Sequence, residues 1–385
     1  MEIVRLGIVG LGNMGKAHLA NIRAGKVQGL RVTALCESVG TIPPLVEGET
    51  PFTDVNAMIH SGKIDAILIC TPHFSHTTIG IEALKNGLHV LVEKPISVHK
   101  ADCERLIAAH TNKKQIFAAM FNQRTNAVFK KVKDLLDSGE LGEVRRVHWE
   151  VTNWFRTNYY YATGGWRGTW KGEGGGVLMN QCPHNLDLFQ WMFGMPDKVR
   201  GFCQFGRYHE IEVEDNVTAF MEYNNGTTAT FVTSTGEAPG ANKLEISAEQ
   251  GRLTITDGTQ IHFQRNRQQM SKFCMEAEAA FAMPENWHMS IPTEQSGGQH
   301  TEILQNFTNA ILKDELLLSP AEQGIHSVEL ANAILLSTWL DKTIDLPFDS
   351  SEYEKLLIEK GENSTFQKTK VVAKASSDDF AKSFR

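Results

Sequence analysis

A chain of 385 residues is too long for one ordinary core, so two domains are expected. Its 41% apolar residues, 22% charged residues and formal net charge of −7 are those of a soluble globular protein. Lys and Arg are scattered, which argues against a nucleic-acid partner, and no apolar run approaches the ~18 residues a membrane helix needs.

The opening Met1-Glu2-Ile3-Val4-Arg5-Leu6 runs straight into a strand-like segment, with no room for a signal peptide, and this points to a cytoplasmic protein. Strands are predicted at Val4–Val9, Arg31–Cys36, Asp65–Cys70, Leu88–Val92 and Gln115–Met120. Helical patterns fall between them near Met14–Ala24, Val55–His60, Thr77–Lys85 and Lys100–His110. Near-continuous apolar strands alternating with helices imply a parallel sheet covered on both faces. After the second strand, Gly40-Thr41-Ile42-Pro43-Pro44 predicts a loop where a helix is usual.

From about Arg145 the pattern changes to alternating strands. These are expected at Arg145–Thr152, Val199–Phe205, Asn216–Tyr223, Thr227–Thr235, Lys243–Ala248, Leu253–Thr256 and Gln260–Gln264. Asn224-Asn225-Gly226 reads as a hairpin turn between two of them. One helix, Val177–Phe193, precedes most of these strands; others are expected at Thr301–Leu312 and Ile325–Leu340, with a frayed tail over the last dozen residues. The fold class is therefore α/β. A doubly wound Rossmann domain over residues 1–122 is followed, over 123–385, by an α/β domain with an open, mainly antiparallel sheet.

Gly10-Leu11-Gly12-Asn13-Met14-Gly15 lies between the first strand and the first helix. There the glycines permit a tight turn and close approach of a diphosphate, and the helix start supplies amide donors. Glu37 closes the second strand, 22 residues after Gly15, where a carboxylate can hold both ribose hydroxyls. It would repel a 2′-phosphate, and Ser38 offers no compensating charge, so NAD is expected over NADP.

Cys70-Thr71-Pro72-His73 ends the third strand and Val92-Glu93-Lys94-Pro95 the fourth. Further on stand Trp166-Arg167, the run Gly174-Gly175-Gly176-Val177-Leu178-Met179-Asn180-Gln181-Cys182-Pro183-His184-Asn185-Leu186-Asp187, and Gly298-Gln299-His300. Together they resemble the Gfo/Idh/MocA family of glucose–fructose oxidoreductases, inositol dehydrogenases and rhizopine-catabolism proteins, over nearly the whole chain. The resemblance implies an active site between the two domains, subunit pairing through the open sheet face as a homodimer or homotetramer, and NAD-dependent hydride transfer at a ring hydroxyl or ketone of a sugar, glycoside or inositol. It also implies that Thr71, Pro72, His73, His76, Glu93, Lys94, Asn122, Trp166 and Arg167 lie around the cofactor, and that Lys94, Asn180, His184 and His300 meet substrate. Two alternatives share the same residues: redox-neutral glycoside cleavage with transient use of NAD, and a catalytically silent sugar sensor, against which the presence of both Lys94 and His184 argues.

Hydride transfer needs a partner for the reacting oxygen and a proton acceptor. Lys94, at the end of a parallel strand, suits the first role, and His184, with an ordinary pKa near neutrality, the second. The family often has Asp four residues before this His, on one helical face by i, i+4 spacing. Asn180 departs from that pattern: it can orient an imidazole but cannot stabilise imidazolium by charge, so Lys94 is expected to carry more of the proton work. Asp187 reads as an ion-pair or capping residue. No metal is expected, since His73 and His76 lack a third ligand and the six cysteines (Cys36, Cys70, Cys103, Cys182, Cys203, Cys274) form no C-x-x-C pair. Cys182 is expected to serve packing.

Overall fold

The computed structural model describes residues 2–163, 165–293 and 297–368. The N-terminal half runs β1 (Val4–Val9), α1 (Asn13–Arg23), β2 (Leu30–Cys36), β3 (Thr50–Phe52), α2 (Val55–Ile59), β4 (Ala66–Ile69), α3 (Phe74–Lys85), β5 (His89–Val92), α4 (Lys100–Ala108) and β6 (Phe117–Ala119). All six strands are parallel, in the order β3-β2-β1-β4-β5-β6, so strand order reverses between β1 and β4. Ligands of such sheets bind beyond the carboxyl ends at this switch point. The residues after β2 form the expected loop. The unpredicted β3 is three residues long with Pro51 in its middle, which only an edge strand tolerates.

The second half runs α5 (Ala127–Asp137), β7 (Val144–Val151), α6 (Asn158–Thr163), α7 (Val177–Asn180), α8 (Pro183–Phe193), β8 (Lys198–Phe205), β9 (Glu214–Glu222), β10 (Thr228–Ser234), β11 (Asn242–Ala248), β12 (Gly251–Thr256), β13 (Gln260–Asn266), α9 (Met270–Glu276), β14 (Asn286–Ile291), α10 (Gln299–Lys313), α11 (Gly324–Leu340), β15 (Ile344–Asp345) and α12 (Ser350–Glu362). Nine strands form one sheet, β14-β13-β12-β11-β7-β10-β9-β8-β15. Neighbours are antiparallel except for β7 and β10, whose pairing is parallel. Asn224-Asn225-Gly226 turns β9 into β10, with Gly226 at a positive φ of 89°. Helices α8 and α11 cover the inner face, where Phe231 and Ile246 are fully buried. The outer face leaves Phe202 and Phe220 exposed.

Two features depart from the expected organisation. First, the helix expected over Val177–Phe193 is broken: the Cys182 amide reaches back to the Val177 carbonyl (2.9 Å), and Pro183, which has no N–H to donate, opens α8. Asn180 and His184 therefore stand on two helices, and the i, i+4 relation expected between them does not hold. Second, the chain returns to the N-terminal unit. Ile303, Leu304 and Phe307 of α10 share a core with Val4, Leu6, Ile8, Leu19 and Ile22, and the Ser319 carbonyl accepts from the Ala119 amide (3.0 Å). The N-terminal core thus recruits a helix from far beyond residue 122.

Among the described residues no helix is long and apolar enough to cross a membrane. The expected frayed tail lies outside the described residues. All six cysteines are free, and Cys182 packs with its Sγ 3.0 Å from the Thr233 hydroxyl.

Candidate active site

The cofactor end is built from backbone. Gly10 sits at φ +86°, and a Cβ there would stand 2.7 Å from the Cys70 carbonyl across the switch point. A Cβ on Gly15 would lie 2.0 Å from the Gly10 oxygen, whereas one on Gly12 would meet nothing within 4 Å. Gly10 and Gly15 are thus demanded by the turn itself, while Gly12 leaves an open face beside the first-turn amides of α1, at Asn13 and Met14, which lack helical acceptors. Glu37 accepts from the Leu11 amide (2.7 Å) and from Val39 and Gly40 (3.2 and 3.1 Å). Burial pushes its carboxyl up, but these amide bonds outweigh that and hold it below the usual carboxylate range.

Farther along the cleft, the Thr71 hydroxyl and the Asn122 Oδ1 are buried without a partner among the described residues. The Asn122 Nδ2 donates to Gln299 (2.7 Å), and the Trp166 ring meets His73 edge-on at 5.2 Å. The Arg167 guanidinium lies 4.9 Å from the Trp166 ring and 4.7 Å from that of Tyr160. His76 is fully buried, its two ring nitrogens 2.9 and 2.8 Å from the carbonyls of Pro95 and Thr71, so it braces the loops after β4 and β5. Pro72 lies in the first of those loops, its carbonyl accepting from Ser75 (3.1 Å). Buried acceptors and donors beyond the sheet, an open glycine face and a carboxylate at the end of β2 fit an NAD, with Glu37 on the ribose and the α1 amides on the diphosphate.

Lys94 follows β5, its peptide to Pro95 cis, and its Nζ donates to the Asn180 carbonyl (3.0 Å). Burial lowers its pKa, opposed by Glu93, with Arg156 adding to the decrease. Glu93 bonds His18 (2.7 Å); burial works against ionisation, but His18 draws its pKa down to about 2. His184 stands in the first turn of α8, edge-on to Phe121 at 6.3 Å, with Nδ1 unpartnered among the described residues. Its pKa is well below the ordinary value because of burial, then Lys94 and His300. His300, in the first turn of α10, meets the His18 ring at 5.5 Å and is pushed down to about 4, chiefly by burial. The structure thus brings Lys94, Asn180, His184 and His300 together. His18, Cys70 and Glu93 also bring ligand atoms within 4.8 Å of one another, but burial keeps the Cys70 thiol protonated.

Residues 4–121 match the oxidoreductase family with an NAD-binding Rossmann fold, and residues 129–254 match the GFO/IDH/MocA C-terminal domain. This chain belongs to the GFO/IDH/MocA family. It is 29% identical over 151 residues to inositol 2-dehydrogenase of Salmonella typhimurium, covering 38% of this chain and 45% of that protein. With myo-inositol 2-dehydrogenase of Thermotoga maritima the identity is 28% over 149 residues, 36% of this chain and 42% of the relative. These alignments span less than half the length of the relatives. In fold it is similar to the WlbA dehydrogenase of Bordetella pertussis, solved with NADH and UDP-GlcNAcA (TM-score 0.74, 24% identity, 90% of this chain and 100% of that one). It is also similar to levoglucosan dehydrogenase solved with NADH and levoglucosan (TM-score 0.73, 18% identity, 90% and 100%).

Within this GFO/IDH/MocA site, several side chains lie beyond what the sequence reading picks out. Glu173 is buried beside Asn180, whose Nδ2 donates to it, and its second oxygen accepts from the Gly168 amide (2.6 Å). Burial lifts its pKa to about 7 against those bonds. An acid inside the glycine run Gly172-Glu173-Gly174 is the available signal. Arg124 forks onto Asp187 (2.8 and 2.6 Å), both buried, which gives Asp187 the ion-pair role expected of it and ties α8 to the turn after β6. Arg156 stacks on Tyr160 (5.2 Å), whose hydroxyl accepts from Gln181 (3.3 Å). Nothing in the spacing of Arg124, Arg156 or Tyr160 marks them.

Proposed function

We propose that the chain is an NAD-dependent dehydrogenase acting on a ring hydroxyl, or in reverse a ketone, of a sugar, glycoside or inositol. The observation that carries the reading is the convergence of Lys94 after β5, Asn180 at the end of α7 and His184 in the first turn of α8, with the Lys94 Nζ on the Asn180 carbonyl (3.0 Å) and near enough to His184 to lower its pKa. Bound NAD supplies the hydride acceptor. The Lys94 Nζ donates to the carbinol oxygen and stabilises negative charge as it develops there. His184, held neutral by burial and the nearby cation, accepts the hydroxyl proton. His300 and Asn180 offer hydrogen-bonding groups to the neighbouring hydroxyls. The names of the inositol dehydrogenases and of levoglucosan dehydrogenase support a polyhydroxylated ring as substrate.

Purified protein given NAD and a panel of inositols, sugars and glycosides is expected to form NADH in step with oxidised product. Product released without NADH would replace this reading by transient oxidation, and no turnover with any of them would replace it by the sensor. Because a base must be deprotonated to act, a lowered His184 pKa places the acidic limb of the oxidation profile below about 6.5. A limb above that value takes His184 out of the base role. The outer sheet face, with Phe202 and Phe220 exposed, is inferred to join subunits into a homodimer or homotetramer; a monomer in sedimentation at micromolar concentration contradicts it.

A further inference from the structure

Asn180 carries two links at once. Its backbone carbonyl holds the Lys94 Nζ at 3.0 Å, and its side-chain Nδ2 donates to Glu173. A carboxylate only accepts hydrogen bonds, so with Glu173 ionised the Asn180 amide has one orientation: Nδ2 on Glu173, leaving Oδ1 as the acceptor. Glu173 is itself anchored. Its other oxygen takes the Gly168 amide at 2.6 Å, one residue after Trp166-Arg167, and the side chain is almost wholly inaccessible. The carboxyl thus joins the turn after Trp166-Arg167 to the residue that holds Lys94. An Asp at position 180 would set a second carboxylate against it in a buried site, and like charges so placed cannot both ionise at ordinary cost.

We propose that Glu173 is a positioning residue of the hydride-transfer site, matched to Asn180: it fixes the direction of the Asn180 amide so that Oδ1 accepts from a substrate hydroxyl, a pairing that an Asp at position 180 would not allow. The inference rests on the dehydrogenase reading only for what Oδ1 meets; the pairing itself stands on the geometry. The carboxylate stands seven residues before Asn180 in the chain and behind it in space.

A double-mutant cycle tests it. Glu173→Gln removes one of the two acceptors and is expected to lower turnover about tenfold and to raise KM for the polyol, with NAD binding within about twofold of the parent. Asn180→Asp is expected to cost at least as much, because it creates the paired carboxylates. In the double variant Glu173→Gln with Asn180→Asp the bond re-forms with roles exchanged, the amide now at position 173 donating to the carboxylate now at position 180. Turnover is expected to recover to within about threefold of the better single variant or above it, rather than to the roughly hundredfold loss of two independent changes. The acidic limb of its profile should also move to higher pH, because a carboxylate now favours imidazolium at His184. Multiplicative losses overturn the pairing. If the parent turns over no polyol, the dehydrogenase reading fails while the same cycle, read on the thermal unfolding midpoint, still decides the pair: non-additive shifts support it and additive shifts overturn it.

Discussion

The two ends of the cleft are made of different material. At the cofactor end the geometry comes from backbone: Gly10 and Gly15 pass where a Cβ would strike main-chain atoms, and Glu37 is held by amides no more than three residues away or in the adjoining turn. At the substrate end it comes from side chains drawn from separate segments: Lys94 after β5, Glu173 before α7, Asn180 at its end, His184 on α8 and His300 on α10. A backbone-built site needs a short local pattern and fails when a glycine gains a Cβ. A side-chain-built site needs distant elements to be tied together and fails when a tie is cut.

The sharpest way to break that contrast is to cut the tie that holds α8. Arg124 and Asp187 are both buried, and the guanidinium forks onto the carboxylate. Replacing Arg124 by Met leaves Asp187 buried with, among the described residues, only the Gln190 amide (3.1 Å) donating to it, and should cost ~3–5 kcal/mol of stability. Chemical denaturation measures this. Adding Asp187→Leu should return much of the loss, since a buried pair replaced by apolar groups is often near neutral. A single variant within ~1 kcal/mol of the parent would mean that α8 is positioned by packing, and the contrast would weaken.

Next comes Lys94. If its ammonium acts on charge that develops only during reaction, Lys94→Ala should lose ~2.7–4 kcal/mol of transition-state stabilisation, about a hundred- to thousandfold in turnover, while NAD binds nearly as before. Steady-state kinetics beside NAD calorimetry separates the two. Equal losses in both would make Lys94 part of the cofactor end and blur the boundary between the two.

Smaller still is the choice between cofactors. Glu37, proposed to hold the ribose, has its pKa held below the usual carboxylate range, and the guanidinium on α1 near the following loop, that of Arg23, is engaged by Glu49 (2.5 and 3.0 Å). A 2′-phosphate would meet a carboxylate there, with Arg23 already committed. NAD should bind at least tenfold more tightly than NADP, ~1.4 kcal/mol, by calorimetry. Equal binding would show that another cation reaches the site.

The contrast also explains which parts of the molecule can be read from the chain. The parallel order, the glycine turn and Glu37 follow from local patterns: apolar runs of strand length, a spacing of glycines, an acid at a strand end. The short edge strand β3 escapes such a reading because Pro51 speaks against a strand. Helix α12 does not announce itself by apolar periodicity, although Asp349-Ser350-Ser351-Glu352 is a sound capping signal. Spacing alone puts Asn180 and His184 on one helical face, and Pro183 breaks it. Arg124 has no local signature, because its partner Asp187 lies 63 residues away. Pairings of that kind depend on tertiary structure, which residue spacing does not encode.

The smallest expected effect isolates the backbone end most cleanly. Of the three glycines in the turn, Gly12 combines an unstrained backbone (φ −68°, ψ −160°) with open space where a Cβ would go. Ala at this position loses less backbone entropy on folding, a gain of ~0.4–1 kcal/mol, but it is a poorer residue than Gly at a helix N-cap by a similar amount. The two effects oppose, so Gly12→Ala should leave unfolding stability within ~0.5 kcal/mol of the parent. The protein itself therefore has no need of a glycine there; a ligand approaching the α1 amides does. The added methyl should weaken NAD about fivefold, ~1 kcal/mol, with turnover at saturating NAD unchanged because Lys94 and His184 are untouched. Unaltered stability with weakened NAD would locate the diphosphate over Gly12. Unaltered NAD affinity would place it elsewhere on the turn, and the open face would then need another explanation.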